Sequence, residues 1–119
     1  LFVDDEEAIV EIGRKQLESL GYHVHAEKDP VKALELFSEN PEQFDLVLTD
    51  MTMPHMTGDV LAQNIKQIKD IPIILATGFS TMIDSESSRD MGISEFIMKP
   101  ISMVDLADIV RKVLDKKSG

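Results

Sequence analysis

The chain is 119 residues long, with 43% apolar and 29% charged side chains, which suits one soluble globular unit able to bury a sizeable core. Its formal net charge of −10 argues against direct nucleic-acid binding and against anionic membrane surfaces, because both need a basic patch. There is no cysteine, no apolar run as long as a membrane span and no signal-peptide pattern, so thiol chemistry and membrane insertion by this unit are excluded and a cytoplasmic location is expected.

Leu1-Phe2-Val3 reads as a first strand. Because the chain opens inside an apolar run, it reads as a piece of a longer protein. Glu7 to Leu20 follows as a helix, with Ile9, Ile12, Leu17 and Leu20 near helical spacing and Gly21 as its stop. Tyr22 to Ala26 alternates, Tyr22, Val24 and Ala26 on one face and His23 and His25 on the other, as in an edge strand. Asp29-Pro30 starts a second helix, with an acid cap and a proline in the first turn. Val31, Leu34 and Phe37 carry its stripe to about Asn40-Pro41. Leu46-Val47-Leu48 is a buried strand. Asp59 to Lys69 is a helix with Leu61, Ile65 and Ile68 inward. Pro72 to Ala76 is a further strand, nearly all apolar. Thr81 to Met91 is a weaker helix rich in Ser and acids, ended by Gly92. Phe96-Ile97-Met98 is the last strand. Ser102 caps the final helix, with Met103, Leu106, Val110, Val113 and Leu114 inward.

This is β-α repeated about five times, which predicts a parallel sheet with helices on both faces. Five strands are too few for a closed barrel of eight. An open, doubly wound, flavodoxin-like sheet with strand order 2-1-3-4-5 fits best. In such sheets ligands bind at the carboxyl ends of the strands. Asp4 and Asp5 follow the first strand there, Asp50 the third, Thr77 the fourth and Lys99 the fifth. Three carboxylates, one hydroxyl and one ammonium should therefore converge.

Clustered carboxylates repel one another, and a divalent cation removes the conflict. Oxygen ligands suit Mg²⁺, which keeps several waters and often bridges to a phosphoryl group. Lys99 and Thr77 supply a cation and a hydroxyl for phosphoryl oxygens. Asp50 can act as a nucleophile, because carboxylates form aspartyl phosphates.

VDDE, LTDMTMPHMTG, ATG and FIMKP, in that order and each at a strand end, resemble the receiver domain of two-component response regulators. The resemblance covers residues 1–119. It implies that Asp50 is the phosphoacceptor, that Asp5 and Asp50 bind Mg²⁺ (or Mn²⁺ in its place) directly, that Asp4 binds through water, and that the Thr52 backbone carbonyl completes the protein ligands. It also implies that Thr77 and Lys99 hold the phosphoryl group and that Phe96 is the switch aromatic. Phosphorylation would then remodel the face formed by the fourth helix, fifth strand and fifth helix, which could also serve a homodimer. The implied phosphodonor is a phosphohistidine on a sensor histidine kinase or a histidine phosphotransfer protein. The implied role is that of a signalling phosphoacceptor and not of an enzyme. The TGFS run resembles receivers attached to hybrid sensor histidine kinases.

Other readings weigh less. A phosphohydrolase with an aspartyl-phosphate intermediate needs a second acid two residues after the nucleophile, where Thr52 stands. A flavin module of similar fold would meet a repulsive DDEE loop. A degenerate receiver used only for protein binding would not need all the acceptor residues. Asp84, Glu86, Ser88 and Asp90 do not make a calcium loop, since Arg89 occupies the position that needs glycine. Phe96 reads equally as a core aromatic. His55 reads as a solvated loop residue, and Met51, Met53 and Met56 as loop packing or an adaptable contact surface. Thr52 and Phe79, two residues after Asp50 and Thr77, offer no amide or carboxylate to orient water, so a persistent phosphoaspartate is expected.

Overall fold

In the computed structural model of the chain, residues 1–77, 93, 95–98 and 102–118 are described. Successive side chains of a strand point to opposite faces of a sheet, and each strand here uses both. The strands are β1 (Phe2–Val3), β2 (Ala26–Glu27), β3 (Val47–Asp50), β4 (Ile73–Thr77) and β5 (Glu95–Met98). They pair in parallel, in the order β2-β1-β3-β4-β5. Val3, Val47, Ile73 and Leu75 pack on one side with Ala33 and Phe37 of α2 (Pro30–Glu39) and Leu61 and Ile65 of α3 (Gly58–Ile68). Phe2, Leu48, Ile74, Ala76 and Ile97 pack on the other with Val10 and Leu17 of α1 (Glu7–Ser19). Leu106, Val110 and Val113 of the C-terminal helix (Met103–Ser118) join that second core. The expected doubly wound, flavodoxin-like α/β architecture is therefore the one observed, with no helix among the described residues long and apolar enough to cross a membrane.

The punctuation behaves as its chemistry dictates. Asp29 accepts a hydrogen bond from the Val31 N–H at 2.9 Å and caps α2, with Pro30 in the first turn. Gly21 has φ +98°, which a residue with a Cβ rarely adopts. The Gly21 N–H donates to the Glu18 carbonyl and the Tyr22 N–H to the Leu17 carbonyl, closing α1 as a Schellman motif. The Ser102 hydroxyl accepts from the Asp105 N–H at 3.1 Å, as a cap should.

Three details differ from the sequence expectation. In α1, Ile12 is 57% and Leu20 48% exposed, while Val10, Gly13 and Leu17 are buried. The Phe2 ring lies over the bare Cα of Gly13, so the helix turns that face to the sheet and Ile12 outward. Val31 and Ile68 are likewise exposed, and Ala33 and Ile65 take the inner positions. The second strand was expected over Tyr22 to Ala26, yet its ladder holds only Ala26 and Glu27. Those two residues pair with Phe2 and Val3. The predicted helix over Thr81 to Met91, its stop Gly92 and the Lys99-Pro100 pair lie outside the described residues.

Because a Cβ on Gly13 would meet the Phe2 ring within contact distance, Gly13→Ala should destabilise the fold by about 1–3 kcal/mol despite alanine's better helix propensity. Urea unfolding followed by circular dichroism measures this. Phe2→Leu should cost less in the Gly13→Ala background than alone. Equal costs in both backgrounds would show that the ring does not set the helix position.

Candidate functional site

The carboxyl end of the sheet gathers the acids. β1 stops after two residues and delivers Asp4, only 2% exposed, into the turn before α1. Its Oδ1 accepts the Glu6 N–H at 3.0 Å, and its own N–H donates to the Glu27 carbonyl at 3.2 Å. The side chain thus shapes the entry to α1, while the backbone is tied to the edge strand. Asp5 follows and is exposed. β3 ends on Asp50, 7% exposed, between β1 and β4.

Several contacts fix the Asp50 main chain. The Met51 N–H donates to the Ala76 carbonyl at 2.9 Å, and the Gly58 N–H to the Met51 carbonyl at 2.7 Å. The Thr49 hydroxyl, fully buried, donates to the Asp50 carbonyl at 3.0 Å. A Cβ on Gly58 would collide with that same carbonyl and with Leu75. Glycine is therefore what lets the first residue of α3 close against the end of β3. Between them the loop is anchored by Met53, 6% exposed in the core, with Met51 and Met56 packed partly against it. His55 takes φ 73° in a tight turn closed by the Met56 N–H donating to the Pro54 carbonyl at 2.8 Å.

One carboxylate oxygen from each of Asp4, Asp5 and Asp50 lies within 4.8 Å of the others. The chain thus assembles three acids from two strand ends, as the sequence led us to expect. At this separation, with two of the three buried, ionised carboxylates repel strongly unless a cation stands among them. An oxygen-only donor set with one water-facing member suits a hard divalent cation that retains part of its hydration, so the residues fit Mg²⁺ or Mn²⁺. Thr77 ends β4 and is 4% exposed, one residue beyond Ala76, the partner of Asp50 in the ladder. It therefore sits beside the acid cluster on the neighbouring strand. Thr52 lies two residues past Asp50 and is exposed. Phe96, opposite Leu75 in the ladder, is half-buried and packs against the core on the α2 and α3 side. Lys99 lies outside the described residues.

Sequence reasoning missed the supporting parts: the Thr49 hydroxyl, the Gly58 approach and the Glu27 carbonyl. A hydroxyl one residue before the acid in an otherwise apolar strand, and a glycine at the first position of a helix, were the available signals.

A model of the response regulator receiver domain family matches residues 1–111. A probable transcriptional regulator, ycf27, of Guillardia theta is 34% identical over 114 residues, which are 96% of this chain and 44% of that protein. The sensor kinase CckA of Brucella abortus is 32% identical over 118 residues, 98% of this chain and 12% of that one. This chain thus spans less than half the length of either relative. Among solved structures, a response regulator receiver domain protein from Clostridium thermocellum superposes with a TM-score of 0.92 at 28% identity, over 98% of this chain and 94% of that one.

Asp5→Asn should raise the thermal midpoint in EDTA, because it removes one of three mutually repelling charges. It should also shrink the rise that Mg²⁺ produces, since a cation stabilises in proportion to its affinity for the folded state. Thermal unfolding with and without Mg²⁺ reads both effects. An unchanged Mg²⁺ response would mean that Asp5 holds no cation.

Proposed function

Because this chain belongs to the response regulator receiver family, we propose that it is the phosphoacceptor module of a two-component phosphorelay and that Asp50 receives the phosphoryl group. The observation that carries this reading is the meeting of Asp50 with Asp4 and Asp5 at one sheet end. An Asp50 carboxylate oxygen attacks the phosphorus of a phosphohistidine. The P–N bond breaks, the imidazole leaves with the electron pair, and an acyl phosphate remains on Asp50. Asp4, Asp5, Asp50 and the Thr52 carbonyl would hold Mg²⁺, which would supply charge neutralisation at the phosphoryl group.

The chain's own residues do the rest. The fixed main chain around Asp50 presents its carboxylate without reorganisation, which is how positioning lowers a barrier. The Thr77 hydroxyl donates to a phosphoryl oxygen, and Lys99 contributes a positive charge. In this reading the inward pull on Thr77 is followed by Phe96, whose half-buried ring can move against the core, and the face around β5 and the C-terminal helix changes. That face is the output surface, for a partner or for a second copy. The donor is a sensor histidine kinase or a histidine phosphotransfer protein, the location is cytoplasmic, and the domain spans residues 1–119. The domain assists its own phosphorylation without being an enzyme. A hybrid sensor kinase is the proposed parent, on the strength of the TGFS run and of the likeness to a sensor kinase.

Incubation with acetyl phosphate and Mg²⁺, followed by intact mass, tests the reading. One added phosphoryl group is expected, absent with EDTA and absent in Asp50→Asn. An equal gain in Asp50→Asn would move the acceptor elsewhere. The phosphoaspartate should persist, because neither Thr52 nor Phe79 offers the amide or carboxylate that best orients an attacking water. Replacing Phe79 with Gln should shorten its lifetime, and fast loss that the replacement leaves unchanged would sink that expectation.

A further inference from the structure

The acid cluster does not use the imidazoles of the segment that leads into β2. The segment before β2 alternates: Tyr22, Val24 and Ala26 pack against the core on the α1 side, while His23 and His25 are exposed. The Phe2 N–H donates to the His25 carbonyl at 2.8 Å, so the alternation continues from the ladder into this segment. The His25 ring meets Phe44 edge to face, with centroids 5.3 Å apart at 78°. Phe44 belongs to the core on the α2 and α3 side. The alternation of burial along Tyr22 to Ala26 gives His23 and His25 the same outward parity, and the Phe44 contact fixes where His25 lies.

We propose that His23 and His25 chelate a divalent transition-metal cation, Cu²⁺ before Zn²⁺ or Ni²⁺, at the edge of the sheet. Two same-face positions in an extended chain are about 6.6 Å apart, a span that two imidazoles close around one ion. Neutral imidazole nitrogen suits these cations, and Cu²⁺ heads their affinity order. The Phe44 contact limits the rotamers of His25 and lowers the ordering cost of binding. The chain's net charge of −10 raises the local concentration of any cation. Water completes the coordination. The site differs in ligand chemistry from the acid cluster and stands independently of the phosphoacceptor reading.

Isothermal titration of the chain with Cu²⁺, in excess Mg²⁺ so that the acids are engaged, tests this. One equivalent should bind near pH 7.5 and weaken markedly near pH 5.5, because protons compete with the cation for ligand nitrogens. His23→Gln and His25→Gln should each weaken it by roughly tenfold or more. His55→Gln and Asp50→Asn should leave it unchanged. Electron paramagnetic resonance should show nitrogen coupling from two imidazoles, reduced to one in either single variant. Both replaced side chains are exposed, and far-UV circular dichroism verifies the fold. No binding, binding that survives both single variants, or binding lost in Asp50→Asn would overturn the proposal.

Discussion

Three carboxylates converge at one sheet end, and much of the surrounding structure exists to hold them there. Nothing in the packing of the core asks for Asp4 and Asp50 to be buried, and two buried acids beside a third are costly. The cost is tolerated because the backbone leaves them little alternative. Asp4 is fixed through Glu6 and Glu27, and the Asp50 main chain through Ala76, Thr49 and Gly58. Preorganisation of this kind suits a divalent cation, because a cluster that had to gather its acids first would lose that work from its affinity.

The two cores explain how so small a chain maintains this arrangement. β1, β3, β4 and β5 divide their residues between them, so a displacement of β1 or β3 would disturb both at once. Val3 and Phe2 illustrate the point: neighbours in sequence, they belong to opposite cores. The acid that follows them inherits a position set from both sides.

Much of this was legible beforehand. The alternation of short apolar runs with helical patterns predicted a parallel sheet covered on both faces, and Asp29-Pro30, Gly21 and Ser102 marked helix ends because their chemistry is local. The acids were found because the topology places strand ends together. What stayed hidden depended on pairing and close approach. The face of α1 could not be read from apolar spacing, since Gly13, with no side chain to count, is the residue that meets the sheet. The ladder of β2 is a matter of which residues find partners in β1, which its own alternation does not show. The Thr49 hydroxyl and the Gly58 contact matter only once β3 and α3 are side by side. Phe96 proved half-buried, so its packing accommodates both a core role and a moving one.

The acid cluster joins residues far apart along the chain. Asp4 and Asp5 follow β1 and Asp50 closes β3, so a ligand gripping both ends encloses α1, β2, α2 and β3 in one loop. Such a ligand acts as a reversible staple. Bound only when the loop is closed, it makes opening of that stretch rarer by a factor set by its concentration and its affinity for the folded chain. Slow amide exchange in α2, which carries none of the acids, would then report on what is held at the other end of the strands.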